Sequence, residues 1–223
     1  MEDFRIDRRY RNDFGEAYNE RLRDFEKSVP NAGRMPKGDF EALIGELSFH
    51  KRDTTYLMLA LLHTLKDPQR LRQVLLRCWF NTELIEDQSV VLQALRVCEF
   101  ISANPQSRPT QALTIYRGCI RDYERRCSWT TSIDYARFFA VRNARHYKTV
   151  SGRLKAPLVF RATIDPHLAL GEFSAEREVL VDYERIYPVL VEILDIRSSF
   201  DVRSNIMTFR PDRPPRYRVS SSV

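Results

Sequence analysis

Phe173-Ser174-Ala175-Glu176-Arg177-Glu178-Val179-Leu180-Val181 sets the character of the second half of the chain. Its apolar end, Glu178–Val181, is too short for a helix and rich in valine, so it reads as a strand. In an extended chain the side chains alternate, which predicts Glu176 and Glu178 on one face, roughly 6.5–7 Å apart, with Arg177 pointing away. Two carboxylates that close repel one another and raise one pKa, so they are either a solvated strand edge or a chemical device. Outward from this stretch, Thr114–Arg117, Leu158–Ile164 and Val189–Ile196 share its texture and are separated by turn formers. One helix interrupts the strands, Asp134–His146, with Ala136, Phe139, Ala140 and Ala144 at inward spacing.

The first 105 residues read as helices. Glu16–Lys27 carries Phe14, Tyr18, Leu22 and Phe25 as one stripe, and Asp39–Phe49 repeats the pattern with Phe40, Leu43, Ile44 and Leu47. A third helix, capped by Asp53 or Thr54, runs to Leu65. Asp67-Pro68 places an N-cap before proline at the first helical position and opens a fourth through Phe80. A fifth spans Thr82 to Ile101, ahead of Asn104-Pro105. Helices first and strands second make the class α+β. The expected organisation is a helical lobe over 1–110, a β core over 111–209 and a mobile Pro/Arg/Ser tail over 210–223.

Composition excludes several classes. The apolar run Tyr56–Leu62 falls far short of the roughly 20 residues needed to span a bilayer, and the charged N-terminus has no apolar leader. A cytoplasmic protein without a membrane role is expected. Cys78, Cys98, Cys119 and Cys127 form no C-x-x-C pair, which points to reduced thiols and no metal. Glycine is scarce, and Gly33-Arg-Met-Pro-Lys-Gly38 is followed by Asp39-Phe40 where a phosphate loop needs Lys-Ser/Thr. His50, His63, His146 and His167 are scattered and read as surface residues. Six lysines leave 30 arginines among the 36 basic residues, against 30 acidic ones, for a net charge of +6. That balance keeps a nucleic-acid-binding protein in view as an alternative, although the arginines are interleaved with acids.

Three segments carry candidate chemistry. Ile115-Tyr116-Arg117-Gly118 sets an arginine inside an apolar strand, and a guanidinium grips phosphate oxygens with a bidentate fork. Ser128-Trp129-Thr130-Thr131-Ser132 offers four hydroxyls ahead of a helix that Ser132 can cap. Glu176 and Glu178 follow. Taken in order, these segments resemble the Arg–Ser–Glu class of mono-ADP-ribosyltransferases, which includes binary toxins, vertebrate arginine-specific enzymes and small phage-encoded transferases. The flanking texture agrees, with Ala136-x-x-Phe139-Ala140 after the hydroxyls and Phe173-x-x-Glu176-x-Glu178-Val-Leu at the end. The resemblance covers roughly Leu113 to Asp182.

The resemblance implies a mixed or antiparallel β-sandwich core that binds NAD as substrate, without metal, and transfers ADP-ribose to an arginine of an acceptor protein. Glu178 would stabilise the oxocarbenium-like ribose, and Glu176 would activate the acceptor guanidinium. Arg117 and Gly118 would hold the diphosphate, with Thr131, Ser132 and Arg153 as further cofactor contacts. Thr130 stands where the family has its first motif serine and would orient Glu178 and the ribose, although Thr131 or Ser128 could take that role. Phe173 would flank the acceptor. A monomer is expected, acting in its own or a host cytoplasm as a phage product or delivered effector, on an acceptor that could be nucleic-acid-associated. An NAD glycohydrolase, with water as acceptor, is the closest alternative.

Overall fold

The computed structural model describes residues 16–47, 54–79, 88–102, 108–173 and 176–194. The chain divides into two compact units, Met1–Pro105 and Gln106–Val223, close to the expected break at 110. The tail over 210–223 lies outside the described residues.

The first unit is helical: α1 (Glu16–Ser28), α2 (Lys37–Glu46), α3 (Thr54–Thr64), α4 (Pro68–Cys78) and α5 (Gln88–Val97), with a 3-10 turn at Val29–Arg34. Its central element is α3, where Leu57, Met58, Ala60, Leu61 and Leu62 are all buried. Apolar residues around its circumference suit a helix that is covered by its neighbours. α4 shows the opposite pattern, one buried stripe of Leu71, Val74, Leu75 and Cys78. Its start follows from local chemistry: Asp67 accepts a hydrogen bond from the Gln69 N–H at 3.0 Å, and Pro68 occupies the first turn. α5 ends at Val97 rather than at Ile101, and its expected start at Thr82 lies outside the described residues.

Among the described residues the second unit holds six strands: β1 (Leu113–Cys119), β2 (Ser128–Thr130), β3 (Leu158–Ile164), β4 (Ala169–Phe173), β5 (Glu178–Val181) and β6 (Val189–Ile193). They form one open sheet in the order β4-β5-β2-β1-β3-β6, and every described pairing is antiparallel. The expected β-sandwich is therefore corrected to a single sheet among the described residues. β2 and β4 were not among the expected strands, and β2 bridges β1 to β5 within one layer.

A sixth helix, α6 (Ile133–Ser151), packs over β1. Ser132 Oγ accepts from the Tyr135 N–H at 3.4 Å, as an N-cap should. The helix runs past the expected His146 because Gly152, at φ 70°, is the first residue suited to the left-handed C-cap. Ala136, Ala140 and Ala144 face inward and are fully buried. A Cβ built on Gly118 would stand 1.6 Å from the Ala136 carbonyl oxygen and 2.6 Å from the Ala140 nitrogen. Glycine at 118 thus lets the helix lie on the strand. Helix backbone occupies the space over its Cα.

Candidate active site

Neighbouring strands β1, β2 and β5 carry Arg117, Ser128 and Glu178 respectively. Thr130 pairs with Glu178 and Ser128 with Leu180, so these four side chains share a face. Ser128 sits diagonally from Glu178, within reach of a long side chain. The Ser128 hydroxyl donates to Glu178 Oε1 at 2.5 Å, a charge-assisted bond between half-buried groups. Of the three hydroxyls open to the motif role, Ser128 is the one bonded to the carboxylate.

Arg117 reaches the same point from the other side of the sheet. Tyr116 pairs with Thr130, which turns Arg117 to the face opposite Glu178. Its Nε donates to the Tyr123 carbonyl at 2.8 Å and its Nη1 to the Ser128 carbonyl. Burial pulls the guanidinium below the ordinary arginine pKa, while the Glu178 carboxylate pushes in the opposite direction. Two of its five donors clamp main chain. Ser128 is the link between the two charges, its carbonyl gripped by Arg117 and its hydroxyl bonded to Glu178.

The acidic pair does not follow the strand period. β5 begins at Glu178, and Glu176 lies in the turn before it. Arg177 takes a left-handed backbone, φ 49°, which breaks the alternation that predicted both carboxylates on one strand face. Thr130 is buried at 3% exposure. Its Oγ1 donates to the Glu176 carbonyl at 2.9 Å and accepts from the Ser132 N–H at 3.1 Å. These bonds orient the turn backbone, and the Glu178 carboxylate is bonded by Ser128. Thr131 is exposed, and its N–H donates to the Arg177 carbonyl at 3.0 Å.

The remaining candidates separate from this cluster. Phe173 pairs with Glu178 across β4 and β5 but is buried, so as an acceptor flank it has little surface to offer. Arg153 is exposed after α6; its N–H bonds the Ser151 hydroxyl, and its guanidinium makes no hydrogen bond to Ser128 or Glu178. Ser132 serves as helix cap. Trp129 is a packing residue at 2% exposure, with its indole N–H donating to the Arg126 carbonyl. Burial pushes the Cys119 thiol up to about 11 and the Cys78 thiol to about 12, so neither is a thiolate at neutral pH.

Two features were not legible in the sequence. Tyr123 contributes a carbonyl, which no side-chain motif announces. Glu124 buries Oε2 without a hydrogen-bond partner and adds negative potential beside Cys119. Among the described residues no cluster of His, Cys, Asp or Glu could hold a metal ion, and no helix is long and apolar enough to cross a membrane. In comparisons with known proteins, the chain matches no family model, no curated protein and no solved structure.

Proposed function

We propose that the second unit is a mono-ADP-ribosyltransferase that cleaves NAD and passes ADP-ribose to a protein arginine. The observation that supports this reading best is the 2.5 Å bond from Ser128 to Glu178, anchored through the Ser128 carbonyl by Arg117. A carboxylate held by a hydroxyl on a clamped strand is a preorganised negative group, which is what an oxocarbenium-like ribose needs. The C1′–nitrogen bond of NAD breaks, and nicotinamide leaves with the electron pair. Glu178 hydrogen-bonds the ribose hydroxyl and offsets the positive charge that develops. Glu176 accepts the proton of the incoming guanidinium, whose nitrogen then bonds to C1′. An unassisted guanidinium, with pKa above about 12, is a poor nucleophile, which is why a nearby carboxylate matters.

Burial of Phe173 favours a second reading, an NAD glycohydrolase with water as acceptor, because it withdraws the aromatic flank expected for a protein substrate. Labelled NAD incubated with the protein and a cell lysate, followed by mass spectrometry of modified bands, separates the readings. Modified arginine is the expected result. Release of free ADP-ribose with no labelled band supports the glycohydrolase, and a modified nucleobase overturns the protein acceptor.

A further inference from the structure

We infer that Thr130 and the left-handed Arg177 form a positioning device that sets where Glu176 stands relative to Glu178, and so governs transfer to the acceptor separately from NAD cleavage. The inference rests on the transferase reading above. Three contacts carry it. Thr130 Oγ1 donates to the Glu176 carbonyl at 2.9 Å, the Thr131 N–H donates to the Arg177 carbonyl at 3.0 Å, and Thr130 pairs with Glu178 in the sheet. Residues 176 to 178 are therefore fastened at every step to Thr130, the last residue of β2, and to Thr131, which follows it. Arg177 holds φ 49°, a conformation that a side chain other than glycine adopts only when its surroundings impose it. Here the hydrogen bonds from Thr130 and Thr131 are those surroundings.

The geometry divides labour within one short strand. Ser128 bonds the carboxylate of Glu178, whereas Thr130, two residues on, bonds the backbone of Glu176. The same Thr130 oxygen accepts from the Ser132 N–H, so it ties the turn to the start of α6 as well. Thr130 is buried, and removing its hydroxyl takes this bond away from the Glu176 carbonyl and the Ser132 N–H. Removing the hydroxyl frees the turn without touching the Ser128–Glu178 bond. Glu176 then loses its fixed place, and proton withdrawal from an incoming guanidinium falls with it.

The test compares two rates in the full chain: nicotinamide release from NAD, and ADP-ribosylation of a small guanidine such as agmatine. Thr130→Val, close to isosteric but without a hydroxyl, is expected to lower the ratio of transfer to release by about 10²-fold. Thr130→Ser keeps the donor and restores the ratio. Arg177→Gly, which adopts a positive φ readily, keeps it too, while Arg177→Pro, fixed near φ −65°, lowers it like the valine variant. A Thr130→Val protein that releases nicotinamide and keeps the wild-type ratio overturns the positioning role and leaves the transferase reading intact. A wild-type protein that releases no nicotinamide overturns the transferase reading, and the positioning role with it.

Discussion

Arg70 in the helical unit and Arg117 in the sheet unit solve the same problem in two places. Each is a partly buried guanidinium that donates to two main-chain carbonyls: Arg70 to Ala32 and Met35, Arg117 to Tyr123 and Ser128. Arg70 also stacks over Phe40 and lies 3.7 Å from the Asp67 carboxylate, so it closes a junction between helices. Arg117 differs in what its second carbonyl belongs to. The residue it grips, Ser128, turns its hydroxyl to a carboxylate across the next strand. One arginine fastens a fold, and the other fastens a fold at the point where a charged group is aimed. The chemistry of a guanidinium therefore does not identify a site; the neighbour of its partner does.

Breaking the two clamps should separate stability from activity. Arg117→Lys offers a point charge where a fork satisfied two carbonyls. It should destabilise the sheet unit by about 2–4 kcal/mol and also depress NAD cleavage in the fraction that stays folded. Denaturant titration and nicotinamide release measure the two effects. Arg70→Lys should cost about 1–3 kcal/mol in the same titration and leave cleavage per folded molecule as it was. Equal losses of activity in both variants would erase the distinction.

Smaller changes sharpen it. Ser128→Ala removes the hydroxyl from Glu178 and keeps the carbonyl for Arg117, so cleavage should fall about tenfold with a stability change near 1 kcal/mol. Asp67→Ala, at the N-cap of α4, should cost about 1 kcal/mol of stability in the helical unit and nothing in catalysis. The smallest effect concerns pH. Arg137 donates to both Glu192 oxygens, one at 2.8 Å, and holds the Glu192 pKa below its ordinary value. A depressed carboxylate contributes stability above its unfolded pKa, about 4.3, and that contribution disappears as pH falls through the folded value. The pair is partly exposed, so less than about 1 kcal/mol should separate wild type from Glu192→Gln at pH 6, and the difference should shrink as the pH is lowered.

Much of this architecture was legible in the chain. β3 and β5, rich in valine, leucine and isoleucine, have bounds that follow from the sequence, Leu158–Ile164 and Glu178–Val181. The cap at Asp67 announced itself through Pro68. β2 did not, because three residues with two hydroxyls look like a helix approach rather than a strand. β4 hid behind Gly171 and Glu172, which interrupt its apolar pattern. At the site, the order of Arg117, the hydroxyls and Glu178 was visible, yet the choice between Ser128 and Thr130 was not. Register decides that choice, and register is a property of two strands together. The same-face reading of Glu176 and Glu178 failed because nothing in an arginine signals a left-handed backbone; the bonds that accompany it come from Thr130 at the end of β2 and from Thr131 after it, far off in sequence.

Nicotinamide release from NAD by the purified chain, compared with its Glu178→Gln variant, tests the central claim most directly. Steady release by wild type, reduced about 10²–10³-fold when an amide replaces the carboxylate, is the result this account predicts. Equal release by both proteins, or none by wild type, would contradict it.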